Sequence, residues 1–306
     1  MVSGQESVVR DQWSVVSGQW KGDEMAEVLK GKNVGDAMKE RLAAKNAELI
    51  EKGVTPCLNI VRIGERPDDL AYERGALKRF EGIGIEARVS AYPEDIAWDD
   101  FEKEFAKING DPGVHGILLF KPFPKHIDED AVKRIIDPGK DVDGMCDANI
   151  AKVFAGDETG FAPCTPTAVV ELLKHYEIPL KGAKVVLVGR SMVVGKPLAM
   201  LLLKENATVT ICHTRTADLA GECRAADILI AAAGAAKMIG AEHVKEGAVV
   251  IDVGINLDEE GNLCGDVDFE AAEPLALKIT PVPGGVGSVT TSILAMHTLM
   301  AAERGL

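Results

Sequence analysis

The feature that most constrains the fold is the alternation of short, continuously apolar segments with longer helical segments. CLNIVRI (57–63), VHGILLF (114–120) and KVVLV (184–188) lack the regular polar positions of a half-exposed strand. Continuous apolar strands are typical of parallel sheets, because helices cover both of their faces. The pattern therefore predicts an α/β protein built on parallel sheets.

The alternation runs through the chain in two series. Before PCTP (163–166) it predicts helices at 34–52, 69–82, 99–109 and 128–136 and strands at 57–63, 85–91 and 114–120. After PCTP it predicts helices at 167–176 and 195–204 and strands at 184–188, 207–212, 227–232 and 248–253. The second series has the element order of a doubly wound nucleotide-binding sheet. We therefore expect a two-lobed protein with a cleft between the lobes.

The domain boundaries follow from these series. We place one domain at 25–150 and a second at 151–288, and we expect a final helix in 289–306 to pack back on the first domain. Residues 1–24 differ, because VSGQ occurs at both 2–5 and 16–19 and no core period is visible. We predict an appended or disordered extension there, with an interaction arm as the alternative.

Charge and cysteine usage exclude several classes of protein. A formal net charge of −14 opposes nonspecific binding to nucleic acid or to anionic membranes, which both require a cationic surface. No apolar run has the length of a spanning helix and no signal-peptide pattern opens the chain, so we expect a cytoplasmic protein. The six cysteines and six histidines lack metal-ligand spacing, so we expect no metal site and mostly buried thiols.

VVLVGRSMVVGKPLAMLLL (185–203) contains a candidate phosphate-binding turn. It places Gly189 at a strand end, Arg190 and Ser191 in the turn, and Gly195 and Pro197 at a helix start. Dinucleotide phosphates bind at such positions, because free N–H groups and the positive end of the helix dipole attract them. The spacing is not GxGxxG, so a purely structural turn is the alternative.

Basic residues after two successive strands favour NADP as the dinucleotide. Arg190 is suited to a forked contact with a 2′-phosphate, and CHTRT (212–216) adds Arg215 and two hydroxyl groups at the next strand end. No acidic residue ends that strand to bind a free ribose hydroxyl. NAD is the alternative, since Arg190 is also able to hold a phosphate ion beside it.

Three more glycine-containing loops lie at strand ends. They are AAAGAAKMI (231–239), DVGIN (252–256) and TPVPGGVGSVTT (280–291). Gly234 would let the backbone approach the nicotinamide ribose, and PGGVG would surround the nicotinamide amide. Each glycine alone fits a structural turn, but their common position at the carboxyl ends of strands favours a cofactor site.

Six motifs occur in the same order in a known family. They are KDVDG (140–144), PCTP (163–166), GRSMVVGKP (189–197), CHTRT (212–216), DVGIN (252–256) and TPVPGGVG (280–287). Together they resemble the methylenetetrahydrofolate dehydrogenase/cyclohydrolase family, from about residue 26 to the end. The resemblance implies a homodimer with an N-terminal α/β folate-binding domain, aided by the C-terminal helix, and a Rossmann-like doubly wound NAD(P)-binding domain.

The resemblance also implies a reaction. A hydride leaves 5,10-methylene-tetrahydrofolate for NADP and gives 5,10-methenyl-tetrahydrofolate. In bifunctional members, water then opens the methenyl ring to give 10-formyl-tetrahydrofolate.

Individual site residues are carried over by the same resemblance. Tyr72 matches a tyrosine that packs against the folate, and Asp143 matches an aspartate that hydrogen-bonds the pterin amine edge, with a turn residue as the structural alternative. We predict both as catalytic. The predicted substrate-binding residues are Tyr72, Asp143, Pro283, Gly284 and Gly285. The predicted cofactor-binding residues are Gly189, Arg190, Ser191, Val194, Gly195, Pro197, His213, Thr214, Arg215, Gly234, Ile255, Gly285 and Thr290.

Two positions depart from the family pattern. The family has YxxxK where this chain has YERGA (72–76), and VQLPLP where it has LFKPFP (119–124), so Ala76 replaces a lysine and Phe120 a glutamine. Ring opening by water needs a proton-transferring group, which neither residue supplies. We therefore predict a dehydrogenase with weak or absent cyclohydrolase activity. Lys121 is the candidate substitute, although strand alternation would turn it away from the face of Phe120.

Three alternatives stay open. A bifunctional enzyme would release 10-formyl-tetrahydrofolate instead of accumulating the methenyl compound. A folate- or dinucleotide-binding protein without catalysis would produce no NADPH. A two-domain dehydrogenase for another small substrate would share the layout but leave Tyr72 and KDVDG unexplained.

Overall fold

The computed structural model describes residues 25–305, so the prediction for residues 1–24 lies outside the described residues. Within that part, the chain divides into two compact units. Residues 25–34 and 165–289 form the six-stranded unit, and residues 35–164 and 290–305 form the three-stranded unit, each named after its main sheet.

The elements of the described residues are numbered along the chain. The strands are β1 (Glu27–Val28), β2 (Cys57–Ile63), β3 (Glu86–Tyr92), β4 (Gly116–Leu119), β5 (Lys184–Val188), β6 (Thr208–Cys212), β7 (Ile228–Ala231), β8 (Ala248–Asp252), β9 (Asn256–Leu257), β10 (Leu263–Cys264) and β11 (Ala276–Ile279). The helices are α1 (Gly31–Glu51), α2 (Pro67–Ile83), α3 (Trp98–Gly110), α4 (Glu129–Ile135), α5 (Asp147–Ala155), α6 (Cys164–His175), α7 (Gly195–Lys204), α8 (Leu219–Arg224), α9 (Phe269–Ala272) and α10 (Thr290–Arg304).

The six-stranded unit is built on a parallel sheet. Among residues 25–305 its strand order is β1-β11-β8-β7-β5-β6, and each neighbouring pair is parallel. Strands β7 and β8 are buried at every residue, which requires cover on both faces. The predicted Rossmann-like doubly wound sheet is therefore confirmed.

The three-stranded unit is a smaller parallel α/β layer. Its sheet has the order β3-β2-β4, and its core packs Phe101 and Phe105 of α3 against Val61 and Ile117 of the sheet. Helix α10 belongs to this unit and contacts α2, β2 and β4. The C-terminal helix and the first βα series therefore share one unit.

Helix α2 begins and ends as its sequence requires. Pro67 occupies the first turn, where its missing N–H costs no hydrogen bond, and Asp68 and Asp69 place negative charge at the positive end of the dipole. Gly84 ends the helix in the left-handed conformation, with φ 85°. These signals fix the helix that carries Tyr72.

The unit boundary differs from the expected domain boundary. The three-stranded unit extends to residue 164 instead of ending at 150. Helix α5 and the loop after it stay with this unit, because Asn149 Nδ2 donates to the Asp141 carboxylate at 2.9 Å. The side-chain oxygen of Asn149 in turn accepts from the Phe161 N–H at 3.1 Å.

Short elements account for the other differences. Residues 25–34 were expected in the first domain, but β1 pairs with β11 and therefore lies in the six-stranded unit. Strands β1 and β11, the antiparallel pair β9–β10 and helices α8 and α9 were not predicted, because each is too short to show a hydrophobic period. Helix α5 was also not predicted.

The described residues also bear on the composition arguments. All six cysteines are free and buried, which confirms the predicted buried thiols. No helix in residues 25–305 combines the length and apolar character required to cross a membrane. In the same range, no group of three His, Cys, Asp or Glu side chains is placed to hold a metal ion.

Candidate functional site

The candidate phosphate turn lies at a switch point of the six-stranded sheet. Strand β5 pairs with β6 on one side and with β7 on the other, so the chain changes direction across the sheet between β6 and β7. Ligands of doubly wound sheets bind outside the carboxyl ends of the strands at such a point. We call residues 189–195, which follow β5, the phosphate turn.

Glycines make the close contacts of the phosphate turn possible. A Cβ on Gly189, whose φ is 131°, would lie 2.0 Å from the carbonyl oxygen of Ala232 after β7. A Cβ on Gly195 would lie 2.4 Å from the carbonyl oxygen of Gly189. A larger residue at Gly189 would therefore force the ends of β5 and β7 apart, and one at Gly195 would distort the turn itself.

The phosphate turn also presents donors for an anion. The Ser191 hydroxyl oxygen accepts from the N–H of Val194 at 3.1 Å and of Gly195 at 3.4 Å, and Pro197 is buried in the first turn of α7. Among the hydrogen bonds of the described residues, the N–H groups of 190–193 have no protein acceptor. These donors and the dipole of α7 suit a phosphate group.

Two arginines follow neighbouring strands at the same sheet edge. Arg190 comes after β5 and Arg215 after β6, both are exposed, and neither has an ion-pair partner within residues 25–305. The turn after β6 is held by bonds from the Arg215 N–H to His213 Nδ1 at 3.1 Å and from the His213 N–H to Thr216 Oγ1 at 2.9 Å. Thr214, between them, is exposed. This edge is therefore suited to a second, charged phosphate.

Sequence reasoning missed a buried carboxylate behind the next loop. Asp266 accepts hydrogen bonds from the N–H groups of Ala233, Gly234 and Ala235 at 2.6, 3.0 and 2.8 Å. It also accepts from Asn256 Nδ2 at 2.9 Å. An apolar-flanked aspartate in LCGDVDF was the available signal, but its partners lie about thirty residues earlier in the chain.

A second buried carboxylate supports the first. Asp252 accepts from the N–H groups of Gly254, Asp266 and Val267 at 2.9, 3.0 and 2.9 Å. Burial raises the pKa of Asp252 to about 6, although these three hydrogen bonds act in the opposite direction. The loops after β7, β8 and β10 are thereby joined through two aspartates.

The loop after β11 lies beside the DVGIN loop. The Gly284 carbonyl accepts from the Gly31 N–H at 2.8 Å, which fixes the loop to the start of α1. Pro283 and Gly285 line a cavity of about 220 Å³ together with Ile255. Ile255 is 69% exposed, and several other large apolar side chains of the described residues are exposed as well, so its contact with the cofactor stays a prediction.

The candidate folate residues form a cluster in the three-stranded unit. We call Tyr72, Phe120, Asp143, Cys164 and Thr290 the tyrosine cluster. The Tyr72 hydroxyl donates to Thr290 Oγ1 at 3.4 Å, and its ring meets Phe120 edge-on with centroids 5.8 Å apart. Burial raises the pKa of the Tyr72 phenol, so Tyr72 is protonated at neutral pH.

The two aspartates of KDVDG have different surroundings. Asp141 is buried and accepts from the N–H groups of Met145 and Cys146 at 3.1 and 2.9 Å, so it is the turn-forming residue. Asp143 accepts a long hydrogen bond from the Cys164 N–H at 3.3 Å. A carboxylate accommodates about four hydrogen bonds, so Asp143 retains acceptor capacity for a ligand.

The electrostatics of Asp143 involve Lys121. Burial raises the pKa of the Asp143 carboxyl, and the hydrogen bonds from Cys164 and the positive charge of Lys121 oppose that rise. Strand β4 ends at Leu119, so strand alternation does not direct Lys121. Its Nζ lies 3.7 Å from Glu129 Oε1, and its side chain is 23% exposed.

Positions 76 and 120, which the sequence predicts to differ from the family pattern, are apolar in the structure. Ala76 is fully buried one turn after Tyr72 on α2. Phe120 is also buried, and its ring packs on Tyr72. No amine or amide group therefore occupies these positions beside the tyrosine.

The structure groups the predicted residues by unit. Pro283, Gly284 and Gly285 lie in the six-stranded unit with the phosphate turn, whereas Tyr72 and Asp143 lie in the three-stranded unit. Thr290, predicted to contact the cofactor, lies against Tyr72. The ligand contacts of all these residues stay predictions.

Two protein-family models match the chain. The model described as "Tetrahydrofolate dehydrogenase/cyclohydrolase, catalytic domain" matches residues 29–143. The model described as "Tetrahydrofolate dehydrogenase/cyclohydrolase, NAD(P)-binding domain" matches residues 163–306. The two matches together contain the whole tyrosine cluster and the whole phosphate turn.

Individual proteins of the same kind resemble the chain along most of its length. "Bifunctional protein FolD" of Alkaliphilus oremlandii is 57% identical over 279 residues, which are 91% of this chain and 98% of that protein. The bifunctional FolD structure from Campylobacter jejuni has a TM-score of 0.88 at 41% identity and covers 92% of this chain and 100% of its own. The Trypanosoma brucei dehydrogenase-cyclohydrolase, solved with NADP cofactor and inhibitor, has a TM-score of 0.86 at 36% identity, with 92% and 98% covered.

Proposed function

The chain belongs to the tetrahydrofolate dehydrogenase/cyclohydrolase family, and on that premise we propose that it oxidises 5,10-methylene-tetrahydrofolate with NADP. The observation that carries the proposal is the 57% identity over 279 residues to a protein named bifunctional FolD. In the reaction, one hydride leaves the methylene carbon, and the folate becomes the 5,10-methenyl cation.

The six-stranded unit supports NADP through its own residues. The free N–H groups of 190–193 and the α7 dipole would hold the pyrophosphate. Arg190 and Arg215 would hold the 2′-phosphate, because two unpaired guanidinium groups at one edge suit a doubly charged anion. NADP, when bound, supplies the hydride acceptor. The T. brucei relative was solved with this cofactor.

The tyrosine cluster supports a reduced folate as the other substrate. Asp143 would accept from the donors of the pterin amine edge, for which its remaining acceptor capacity is suited. Tyr72 would pack its ring against the folate, and its protonated hydroxyl, bonded to Thr290, fixes the ring orientation. These residues bind and orient, which hydride transfer chiefly requires.

The relatives' names support a second activity. Several proteins at 50% identity or more carry the name bifunctional FolD, so hydrolysis of the methenyl compound to 10-formyl-tetrahydrofolate is better supported than the monofunctional dehydrogenase predicted from the sequence. In this reaction water adds to the methenyl carbon and a proton goes to the departing ring nitrogen. Lys121, whose positive charge opposes the rise in the pKa of the Asp143 carboxyl, is the amine that we propose for the proton transfer.

A dehydrogenase with weak cyclohydrolase activity is the second candidate. One observation favours it: Ala76 and Phe120 are both buried and apolar beside Tyr72. Without an amine at position 76, the hydrolysis would lose a proton-transfer contribution of about 10²–10⁴-fold.

One assay tests these proposals together. Purified protein is given methylene-tetrahydrofolate with NADP or NAD, and reduced nicotinamide and methenyl-tetrahydrofolate are followed separately. Formation of NADPH or NADH supports the dehydrogenase. If neither reduced cofactor forms, dehydrogenase activity is excluded. Methenyl-tetrahydrofolate is then offered alone against a buffer blank. Consumption above the blank supports the bifunctional enzyme, whereas decay at the blank rate supports the second candidate.

The proposed role of Lys121 in proton transfer is tested by substitution. If cyclohydrolase activity is present, Lys121→Ala should reduce it at least tenfold, whereas Lys125→Ala, at an exposed neighbouring lysine, should not. Equal activity of the two variants would exclude Lys121.

We also propose, on the resemblance alone, that the chain forms a homodimer, which light scattering on the purified protein would test.

A further inference from the structure

One carboxylate takes up the N–H donors of the whole loop after β7. The N–H groups of Ala233 and Gly234 donate to Asp266 Oδ2 at 2.6 and 3.0 Å, and the N–H of Ala235 donates to Oδ1 at 2.8 Å. Three consecutive backbone donors converging on one buried side chain form an anion-binding arrangement that the protein fills itself. An external anion therefore has no donors to bind here.

The same arrangement leaves acceptors at the surface of the loop. Ala233 and Gly234 are exposed, and their carbonyl groups accept no hydrogen bond from residues 25–305. The N–H and C=O groups of a peptide unit point in opposite directions, so donors drawn inward leave carbonyl oxygens outward. The phosphate turn shows the opposite polarity, because its free groups are N–H donors.

Asp266 is itself held in place on both sides. Its N–H donates to Asp252 Oδ1 at 3.0 Å, and its carbonyl accepts from the Ile239 N–H at 2.9 Å. Asn256, in the loop after β8, donates to its Oδ1 at 2.9 Å. The position of residues 233–235 is thus set by a fully bonded, buried group and not by the loop sequence, which is alanine and glycine.

We propose that Asp266 is a positioning residue for the nicotinamide half of the cofactor, because it turns the loop at 232–235 into a hydrogen-bond acceptor. The groups that such a loop recognises are neutral donors, namely the carboxamide NH₂ and the ribose hydroxyls. The phosphates, which need donors, bind at the phosphate turn instead. This inference rests on the proposed NADP function. It assigns hydrogen-bond acceptors to the part of the site that binds the nicotinamide half of the cofactor.

The test separates the two halves of the cofactor. Full-length wild type and Asp266→Asn are titrated calorimetrically with NADP and with adenosine 2′,5′-bisphosphate, which lacks the nicotinamide half. An asparagine at 266 directs an NH₂ group at the loop donors, so the Kd of NADP should rise about 10- to 100-fold while that of the bisphosphate stays within about twofold. In steady state, the KM for NADP should rise and the KM for methylene-tetrahydrofolate should not.

A matched control uses the same substitution two residues away. Asp268 caps the short helix α9, and its carboxylate accepts from the Ala271 N–H at 3.4 Å. Its backbone N–H donates to the Ile239 carbonyl at 2.9 Å, a bond that the substitution retains, and its side chain accepts no hydrogen bond from residues 232–235. Asp268→Asn should leave the Kd of both ligands unchanged. Should Asp266→Asn fail to fold, Asn256→Ala removes one of the four bonds to the carboxylate and should give a smaller shift of the same kind.

Each result has a distinct meaning. If wild type binds neither ligand, the proposed NADP function fails, and this inference fails with it. If wild type binds both but Asp266→Asn weakens both equally, Asp266 merely supports the fold and the inference is overturned. Unchanged binding of both ligands by Asp266→Asn would overturn it as well.

Discussion

The two units hold the polar groups of their sites in opposite ways. In the six-stranded unit, Asp266 accepts four hydrogen bonds and Asp252 accepts three, all from the protein itself. In the three-stranded unit, the hydrogen bonds of Asp143 and Tyr72 are long, at 3.3 and 3.4 Å. In the six-stranded unit, the two aspartates fix the conformation of the backbone. In the three-stranded unit, Asp143 and Tyr72 keep unused hydrogen-bonding capacity.

This contrast separates two routes to recognition. A site made of backbone depends on conformation, so small changes of shape or volume should disrupt it together with the fold. A site made of incompletely bonded side chains depends on their chemistry, so isosteric changes should alter binding and leave the fold intact. The following predictions test this distinction, from the largest expected effect to the smallest.

Gly189→Ala should have the largest effect. Its Cβ would lie 2.0 Å from the Ala232 carbonyl oxygen at a φ of 131°, so we expect a loss of about 3 kcal/mol or more in unfolding free energy, measured by urea denaturation. Gly234→Ala is the control, because it also has a positive φ, 68°, but no atom within 4 Å of the added Cβ. Its cost should be about 1 kcal/mol. Equal losses of unfolding free energy in the two variants would show that the close approach of residue 189 to the Ala232 carbonyl oxygen is not the cause.

Asp143→Asn should impair folate use without unfolding the protein. We expect kcat/KM for methylene-tetrahydrofolate to fall about 100-fold, since the asparagine offers a donor where an acceptor is required, while the Kd of NADP is unchanged. Asp141→Asn should instead lower the unfolding free energy, because Asp141 bonds to Met145, Cys146 and Asn149 inside the unit. If Asp143→Asn lowers only the unfolding free energy, as Asp141→Asn should, then Asp143 is a structural residue and does not bind the folate.

Acidification should shift the stability of the two units in opposite directions. Burial raises the pKa of Asp252 from 3.8 to about 6, so its contribution is complete below 3.8 and is lost as the pH rises through 6. Burial lowers the pKa of His297, bonded to the Val142 carbonyl, from 6.5 to about 4, so its contribution is complete above 6.5 and is lost as the pH falls towards 4.

From pH 7 to pH 5, the six-stranded unit should therefore gain about 1 to 2 kcal/mol from Asp252, and the three-stranded unit should lose a similar amount from His297. Hydrogen exchange of β8 and α10 amides, corrected for intrinsic rates, measures the two shifts separately. Changes of the same sign in β8 and α10 would contradict the assignment.

Tyr72→Phe should have the smallest effect. The substitution removes a 3.4 Å hydrogen bond to Thr290 but keeps the ring against Phe120, so the unfolding free energy should fall by less than about 1 kcal/mol. Tyr72→Ala, which also removes the ring, should weaken methylene-tetrahydrofolate binding strongly compared with Tyr72→Phe, as measured by calorimetric titration of both variants. Equal folate affinity of the two variants would show that the ring does not contact the substrate.

Much of the fold could be predicted, because its signals are local. Apolar runs such as 184–188 and 248–253 predicted buried parallel strands, and a strand, a glycine and a helix start predicted the turn at 189–195. The surroundings of the tyrosine cluster could not be predicted, since Tyr72 and Thr290 are 218 residues apart. Asp266 was missed for the same reason, because the loop that it holds is more than thirty residues away.

The sequence by itself determined the α/β class, the parallel sheets, the phosphate turn and the apolar residues at positions 76 and 120. These properties depend on residue type and on periods of a few residues, which the chain displays directly. Only the tertiary structure decided that Asp266 closes the loop after β7, that Asp141 and not Asp143 is the turn residue, and that β1 joins β11. Each of these depends on hydrogen bonds whose donors and acceptors meet only after folding, so no local pattern records them.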